Sequence, residues 1–255
     1  MLKKIMTAAL GFAIVAVTLN ACGSRSDVPR WEKSPIDNIV KSLSDKPDFS
    51  IILYDMDAEG SGSSTVYKHQ YKIVVPEGDT VTARETQWYT VSDVFFDQNV
   101  NNMGMEIVTK KDGQLKKQVS PAGYNHYVGN EKYGRWTERN GGSFWEFYGK
   151  YAFMSSMFNM MAYPARRSYY DDYYGGGYYR SGRPYYGPGG QVYGTKSYTS
   201  SGTGKNSTWG NKPSSFKNTV RSRVSRSATN TKTRRSASRS SRSSSYRSRS
   251  GGFGK

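Results

Sequence analysis

The side chains able to react or to hold a ligand are few: one cysteine, two histidines and a scatter of carboxylates. A metal centre or an acid–base relay would have to be built on His69 or His126. His69 lies in an alternating run whose one face is Tyr67, His69, Tyr71, Ile73 and Val75, so it reads as a packing side chain. His126 sits in the turn-like aromatic stretch Tyr124-Asn125-His126-Tyr127, and no carboxylate stands near either histidine at a metal-ligand spacing. Asp55, Asp57 and Glu59 alternate but lack the oxygen spacing and closing Glu of a calcium loop; they read as the polar face of a strand end. No nucleophile elbow accompanies the serines, and the glycine clusters match neither a phosphate loop nor a dinucleotide fingerprint. The expectation is no enzyme, no metal and no cofactor.

The single thiol, Cys22, has a different context. A basic start, Met1-Leu2-Lys3-Lys4, is followed by an apolar run from Ile5 to Leu19. That run is shorter than the roughly 20 residues of a membrane span and reads as an export signal. Leu19-Asn20-Ala21-Cys22 resembles the lipobox of bacterial lipoproteins. The resemblance implies removal of residues 1–21, lipidation of Cys22 (thioether plus acyl chains such as palmitate) and attachment to membrane lipid. Two or more chains give lasting attachment. Gly23 stands where lipoproteins of the inner membrane carry Asp, so the resemblance favours the outer membrane of the cell envelope. With no second cysteine, a disulfide framework and cysteine-based zinc sites are excluded.

Charge is segregated along the chain. Residues 1–162 carry 18 Lys and Arg against 18 Asp and Glu, whereas residues 163–255 carry 19 against only Asp171 and Asp172, so the whole net +17 lies in the C-terminal part. This part is poor in aliphatic residues and rich in Gly, Ser, Tyr and Arg, a composition expected to stay disordered. A Tyr/Gly-rich stretch is expected over 164–198 and a Ser/Arg-rich basic tail over 199–255. Arg221, Arg223, Arg226, Arg234, Arg235, Arg239, Arg242, Arg247 and Arg249 are the expected polyanion-binding residues, because a cationic segment gains affinity by releasing counterions. Outside the cytosol the accessible partners are lipopolysaccharide, anionic lipid headgroups, other anionic envelope polymers and extracellular DNA; the alternative is a solvated, mobile spacer whose charge serves solubility.

The elements that could position anything lie between these ends. Residues 22–33 read as a tether and residues 34–140 as a small β-rich domain with an N-terminal helix. Ser34 is placed to cap that helix, Pro35 suits its first position, and Ile36, Ile39, Val40 and Leu43 share a face. From Phe49 to Trp136 the period is two. The runs 49–54, 66–75, 81–96, 104–109 and 114–119 suggest about five strands in an antiparallel meander with one solvated face, the helix covering the other. Asp112-Gly113 marks a hairpin. The fold class expected is α+β or mainly β. Residues 141–163 read as an amphipathic helix opened by the capping box Ser143-x-x-Glu146, with Phe147, Tyr151, Met154, Phe158 and Met161 in one stripe and Trp145 at its start. That stripe could complete the core, lie at a lipid interface, or dock a membrane-protein partner in a scaffold or assembly role.

The lipobox, Gly142-Ser143-Phe144-Trp145 entering a Met-rich aromatic helix, the Tyr/Gly-rich stretch and the Ser/Arg tail ending Gly251-Gly252-Phe253-Gly254 occur in an order that resembles the YgiB-type bacterial lipoproteins. That family has no established activity, so the resemblance implies envelope location and no catalytic residues.

Overall fold

The computed structural model describes residues 34–200 and 202–243, with side chains through Thr229. The expected signal, Cys22 and the tether, together with Arg247 and Arg249, lie outside the described residues.

The architecture is α+β around an antiparallel sheet. Helix α1 (Pro35–Ser42) precedes β1 (Phe49–Glu59), β2 (Val66–Glu77), β3 (Thr80–Glu85) and β4 (Tyr89–Val91). Helix α2 (Asp93–Asn99) leads to β5 (Met105–Lys111), β6 (Gln114–Lys116) and β7 (Ser120–Pro121). The seven strands run in the order β3-β2-β1-β5-β6, with β4 also on β2 and β7 also on β5. β1 is central, which explains its apolar run: Phe49, Ile51 and Leu53 are buried on one face and Ile52 on the other. A bulge between Leu53 and Asp55 shifts its register, and Met56 and Ala58 rejoin the first core. The β5–β6 hairpin turns at Asp112 (φ 51°) and Gly113 (φ 77°), both left-handed as a two-residue I′ turn requires.

Three local expectations are corrected. Ser34 has φ 44° and its side chain makes no capping hydrogen bond, although Pro35 does open α1 and Ile36, Ile39 and Leu43 are buried. Residues 81–96 are two short strands and the start of α2, because Ser92 caps that helix by accepting from the Phe95 N–H at 3.1 Å. The expected solvated face is solvated only in part: α1, α2 and C-terminal residues cover the first face, and a second aromatic core covers the other around Ile52 and Val74, while Lys68, Gln70 and Lys72 stay half-buried and most of β3 is exposed.

The expected helix over 141–163 is also corrected. Gly134–Arg139 (β8) and Gly142–Phe147 (β9) form a separate two-stranded hairpin, turning on Asn140 (φ 49°) and Gly141 (φ 74°). Asn-Gly is the same I′ signal as Asp-Gly, and here it wins over the capping box. Trp136 and Trp145 pair across the strands in T-shaped contact at 5.2 Å, while Glu146 accepts from Arg139 at 2.6 Å instead of closing a helix cap. A 3-10 turn at Gly149–Tyr151 and a short helix α3 (Phe153–Met157) complete the segment.

The largest correction concerns the stretches expected to be disordered. Residues 164–198 fold into helices α4 (Arg167–Gly175), α5 (Tyr178–Ser181) and the start of α6 (Thr195–Ser200), and Tyr173, Tyr185 and Tyr198 are buried. Tyrosine buries a large apolar ring while its hydroxyl reaches a polar partner. The Tyr173 hydroxyl donates to Asn125 Oδ1 (3.1 Å), Tyr174 to the Tyr124 carbonyl (2.9 Å) and Tyr186 to Asn102 Oδ1 (2.6 Å). Gly104 (φ 75°) permits the close approach of Tyr198, whose ring would clash with any Cβ there. Beyond it, α7 (Thr208–Asn211) buries Trp209, and α8 (Ser214–Ser243) packs on α2, burying Val220 and Val224 in the first core and Ala228 as well.

Candidate functional site

The most concentrated polar chemistry is a buried network centred on Glu106. A register irregularity at Ile107 leaves Glu106 opposite Ile52 and Thr109 opposite Ser50, so Glu106, Thr109 and Ser50 share the second face. Glu106 Oε1 accepts from Ser50 Oγ (2.8 Å) and the Gly123 N–H (3.0 Å). Its Oε2 accepts from Asn125 Nδ2 (2.9 Å) and Ser120 Oγ (3.3 Å). Burial pushes the Glu106 carboxyl above its ordinary range, opposed by His126 and by these donors.

His126 joins through Ser50. Its Nδ1 lies 3.2 Å from Ser50 Oγ and its Nε2 lies 2.7 Å from the Lys110 carbonyl, which can only accept. Two proton placements satisfy these bonds. In one, His126 donates to Ser50 and Ser50 to an ionised Glu106. In the other, a neutral Glu106 donates to Ser50 and Ser50 to Nδ1. The array contains serine, histidine and acid, yet it is not arranged for nucleophilic attack. Serine bridges the other two instead of ending the relay, and Ser50 and Glu106 are both fully buried. The network ties β1, β5 and β7 to the turn at 121–125 and, through Asn125 and Tyr173, to α4. Sequence reasoning missed it because its members are separated by up to 76 residues.

Asn125 also walls a surface cleft of about 250 Å³ between the β5–β6 hairpin and α5. Thr109 and Lys111 on β5 stand opposite Lys116 and Gln114 on β6, so all four share one face of the hairpin, and Tyr179 also lines the cleft. Lys116 Nζ is held 3.4 Å from the Tyr179 ring centroid.

His69 is a packing residue in the structure, wedged among Tyr71, Phe95 and Phe96 with Nδ1 3.1 Å from the Tyr71 hydroxyl. Burial pushes it down to about 3. Asp55 and Asp57 are not a bare strand end. Asp55 accepts from the Thr208 and Trp209 N–H groups (2.7 and 3.2 Å), and Asp57 pairs with Lys212 at 2.9 Å, so both clamp the C-terminal segment to β1. Among the described residues no three His, Cys, Asp or Glu side chains group to hold a metal.

Of the stripe expected to face a partner, Trp145, Phe147, Tyr151, Met154 and Phe158 are buried together in the second core. Met161 alone is exposed, at 78 %. The spacing reported burial correctly and the element wrongly.

The arginines divide by position. Arg221 and Arg223 are half-buried on α8; Arg223 donates to Thr65 Oγ1 at 2.7 Å, and burial pushes the Arg221 guanidinium down. Arg226 is exposed, with Nε on the Ser222 carbonyl at 3.1 Å. Arg234, Arg235, Arg239 and Arg242 fall on the later turns of the same helix. Over its 30 residues α8 carries nine Lys and Arg and no acidic residue. Among the described residues no helix is long and apolar enough to cross a membrane.

No known protein family, no curated protein and no solved structure matches the chain.

Proposed function

We propose that this chain is a non-enzymatic, lipid-anchored protein of the bacterial cell envelope whose folded body presents a cationic helix to anionic polymers there. The observation that carries the reading is α8. Its apolar side, Val220, Val224 and Ala228, is docked on the body, and the same helix bears nine cations without one carboxylate. A 30-residue helix spans about 45 Å, long enough to meet several phosphates at once. The residues that resemble a lipobox supply the anchor, Cys22, and the compartment. Within that compartment the phosphates of lipopolysaccharide, at the outer membrane, are the partner this helix suits.

The detergent-solubilised full chain is titrated with lipopolysaccharide at about 50 mM and about 200 mM salt. Affinity is expected to fall by more than about tenfold between the two. Replacing Arg226, Arg234, Arg235, Arg239 and Arg242 together with Gln should remove most of the low-salt binding. Binding indifferent to salt, or unchanged in that variant, rejects the reading. Mass spectrometry of the mature N-terminus tests the anchor separately: an intact Met1 on a chain recovered from the cytosol rejects envelope location.

A further inference from the structure

We propose that the cleft between the β5–β6 hairpin and α5 is a binding site for a small anionic sugar, a sugar phosphate or uronic acid, held by Lys111 and Lys116. The site contains no residue of α8 and stands independently of the polyanion reading. Its placement follows from strand register. Thr109 and Lys111 on β5, with their cross-strand partners Lys116 and Gln114, put two cations, an amide and a hydroxyl on one face of the hairpin.

Asn125 and Tyr179, which also line the cleft, are held in place. Asn125 is fixed by donating to Glu106 and Ser120 and by accepting from Tyr173. Tyr179 packs 4.8 Å from Tyr174 and fixes the Lys116 ammonium over its ring. Among the described residues neither Lys111 nor Lys116 forms an ion pair. The two cations therefore stand beside the cleft without an ion-pair partner, and Lys116 is already ordered over the Tyr179 ring, which lowers the cost of its use.

Size and charge narrow the ligand. The volume, about 250 Å³, lies just below that of pockets for drug-sized molecules and suits one pyranose ring with one charged substituent. Asp112 also lines the cleft. Its carboxylate repels a bare multivalent anion but accepts hydrogen bonds from hydroxyl groups, and Gln114 can donate and accept. Two lysines beside an acid and an amide therefore fit a molecule carrying both an anion and hydroxyls better than either alone.

Calorimetric titration of the detergent-solubilised full chain with glucose 6-phosphate, glucuronate, glucose and inorganic phosphate separates these features. Glucose 6-phosphate or glucuronate is expected to bind with Kd of about 1 mM or tighter, and glucose and inorganic phosphate at least about fivefold more weakly. The Lys111→Gln/Lys116→Gln double variant should lose at least about tenfold in affinity, while the five-arginine variant of α8 should bind as the wild type does. Amide chemical-shift changes in the wild type should centre on residues 109–116 and 125, a readout that needs no substitution. Absence of binding by both anionic sugars at about 10 mM overturns the proposal. So does equal affinity in the double variant, or shift changes centred elsewhere. Inorganic phosphate binding as tightly as glucose 6-phosphate overturns sugar recognition, and glucose binding as tightly overturns the role of the lysines.

Discussion

Two buried ionisable residues, His69 and Glu106, show how the environment of one side chain sets its effect on stability. His69 is fully buried with Nε2 unpaired, so its neutral ring is the folded form, and burial holds it at about 3 against an ordinary 6.5. Unfolding releases the ring to take up a proton. The stability tied to this residue is therefore full above 6.5 and is lost as pH falls from there toward 3. Glu106 has the opposite sign: its carboxyl is raised by burial, so its contribution is full below the ordinary range and declines as pH rises. The clean test is thus a difference. Urea melts of wild type and His69→Leu at about pH 7 and about pH 5 should show the wild type losing about 2 kcal/mol more than the variant. Parallel pH curves for the two proteins would show that His69 titrates as freely in the folded state as in the unfolded one. His69 was legible as a packing residue from its place in an alternating strand. The Glu106 network was not, because nothing local links Ser50, Glu106 and His126 until β1 and β5 pair and the 121–125 turn closes over them.

At the scale of elements, local signals competed and tertiary packing chose between them. Asp112-Gly113 and Asn140-Gly141 carry the same turn chemistry, and both turn a hairpin. The second was obscured because Ser143-x-x-Glu146 and the spacing of Phe147, Tyr151, Met154 and Phe158 also satisfy a helix. Those same residues enter the second core along a strand, a 3-10 turn and a short helix, so a periodicity of burial need not be the periodicity of one element. Helix α7 shows the reverse case. Four residues have no helical stability of their own, and this turn is held from outside by Asp55 at its N–H groups and by Trp209 packed edge-on to Phe96 at 5.6 Å. Trp209→Ala should destabilise the protein by about 3–5 kcal/mol in urea melts. A change under about 1 kcal/mol, as for a solvated tail residue, would show that α7 is not part of the core.

At the scale of the whole molecule, residues 164–200 and 202–229 are structural. Burial of Trp209, Val220 and Val224 contributes about 1.5–3 kcal/mol each, and together they rival the net stability of about 5–15 kcal/mol expected of a domain. Two truncations separate the parts of the C-terminal region. Ending the chain after Gly202 strips α7 and α8 from the first face of the sheet and should abolish the cooperative thermal transition. Ending it after Thr229 retains all the packing residues described and should leave the transition near its original temperature, while weakening lipopolysaccharide binding. A cooperative wild-type-like melt for the shorter chain would show that the sheet needs no C-terminal cover.

The sequence by itself determined those features that depend on neighbours in the chain. These include the Pro35-led helix with its apolar face, the central strand from Phe49, the Asp112-Gly113 hairpin, the charge asymmetry and the context of Cys22. Each rests on propensity, periodicity or turn chemistry within about ten residues. Tertiary structure alone decided that the Tyr-rich stretch and the first part of the Arg-rich one, residues 202–229, fold. Composition counts few aliphatic residues there, whereas stability came from rings that bury large areas only when a second surface is present. Tyr173 needs Asn125, Tyr198 needs Gly104, and Trp209 needs Asp55 and Phe96. Such partners lie up to 154 residues away, and no local pattern encodes them.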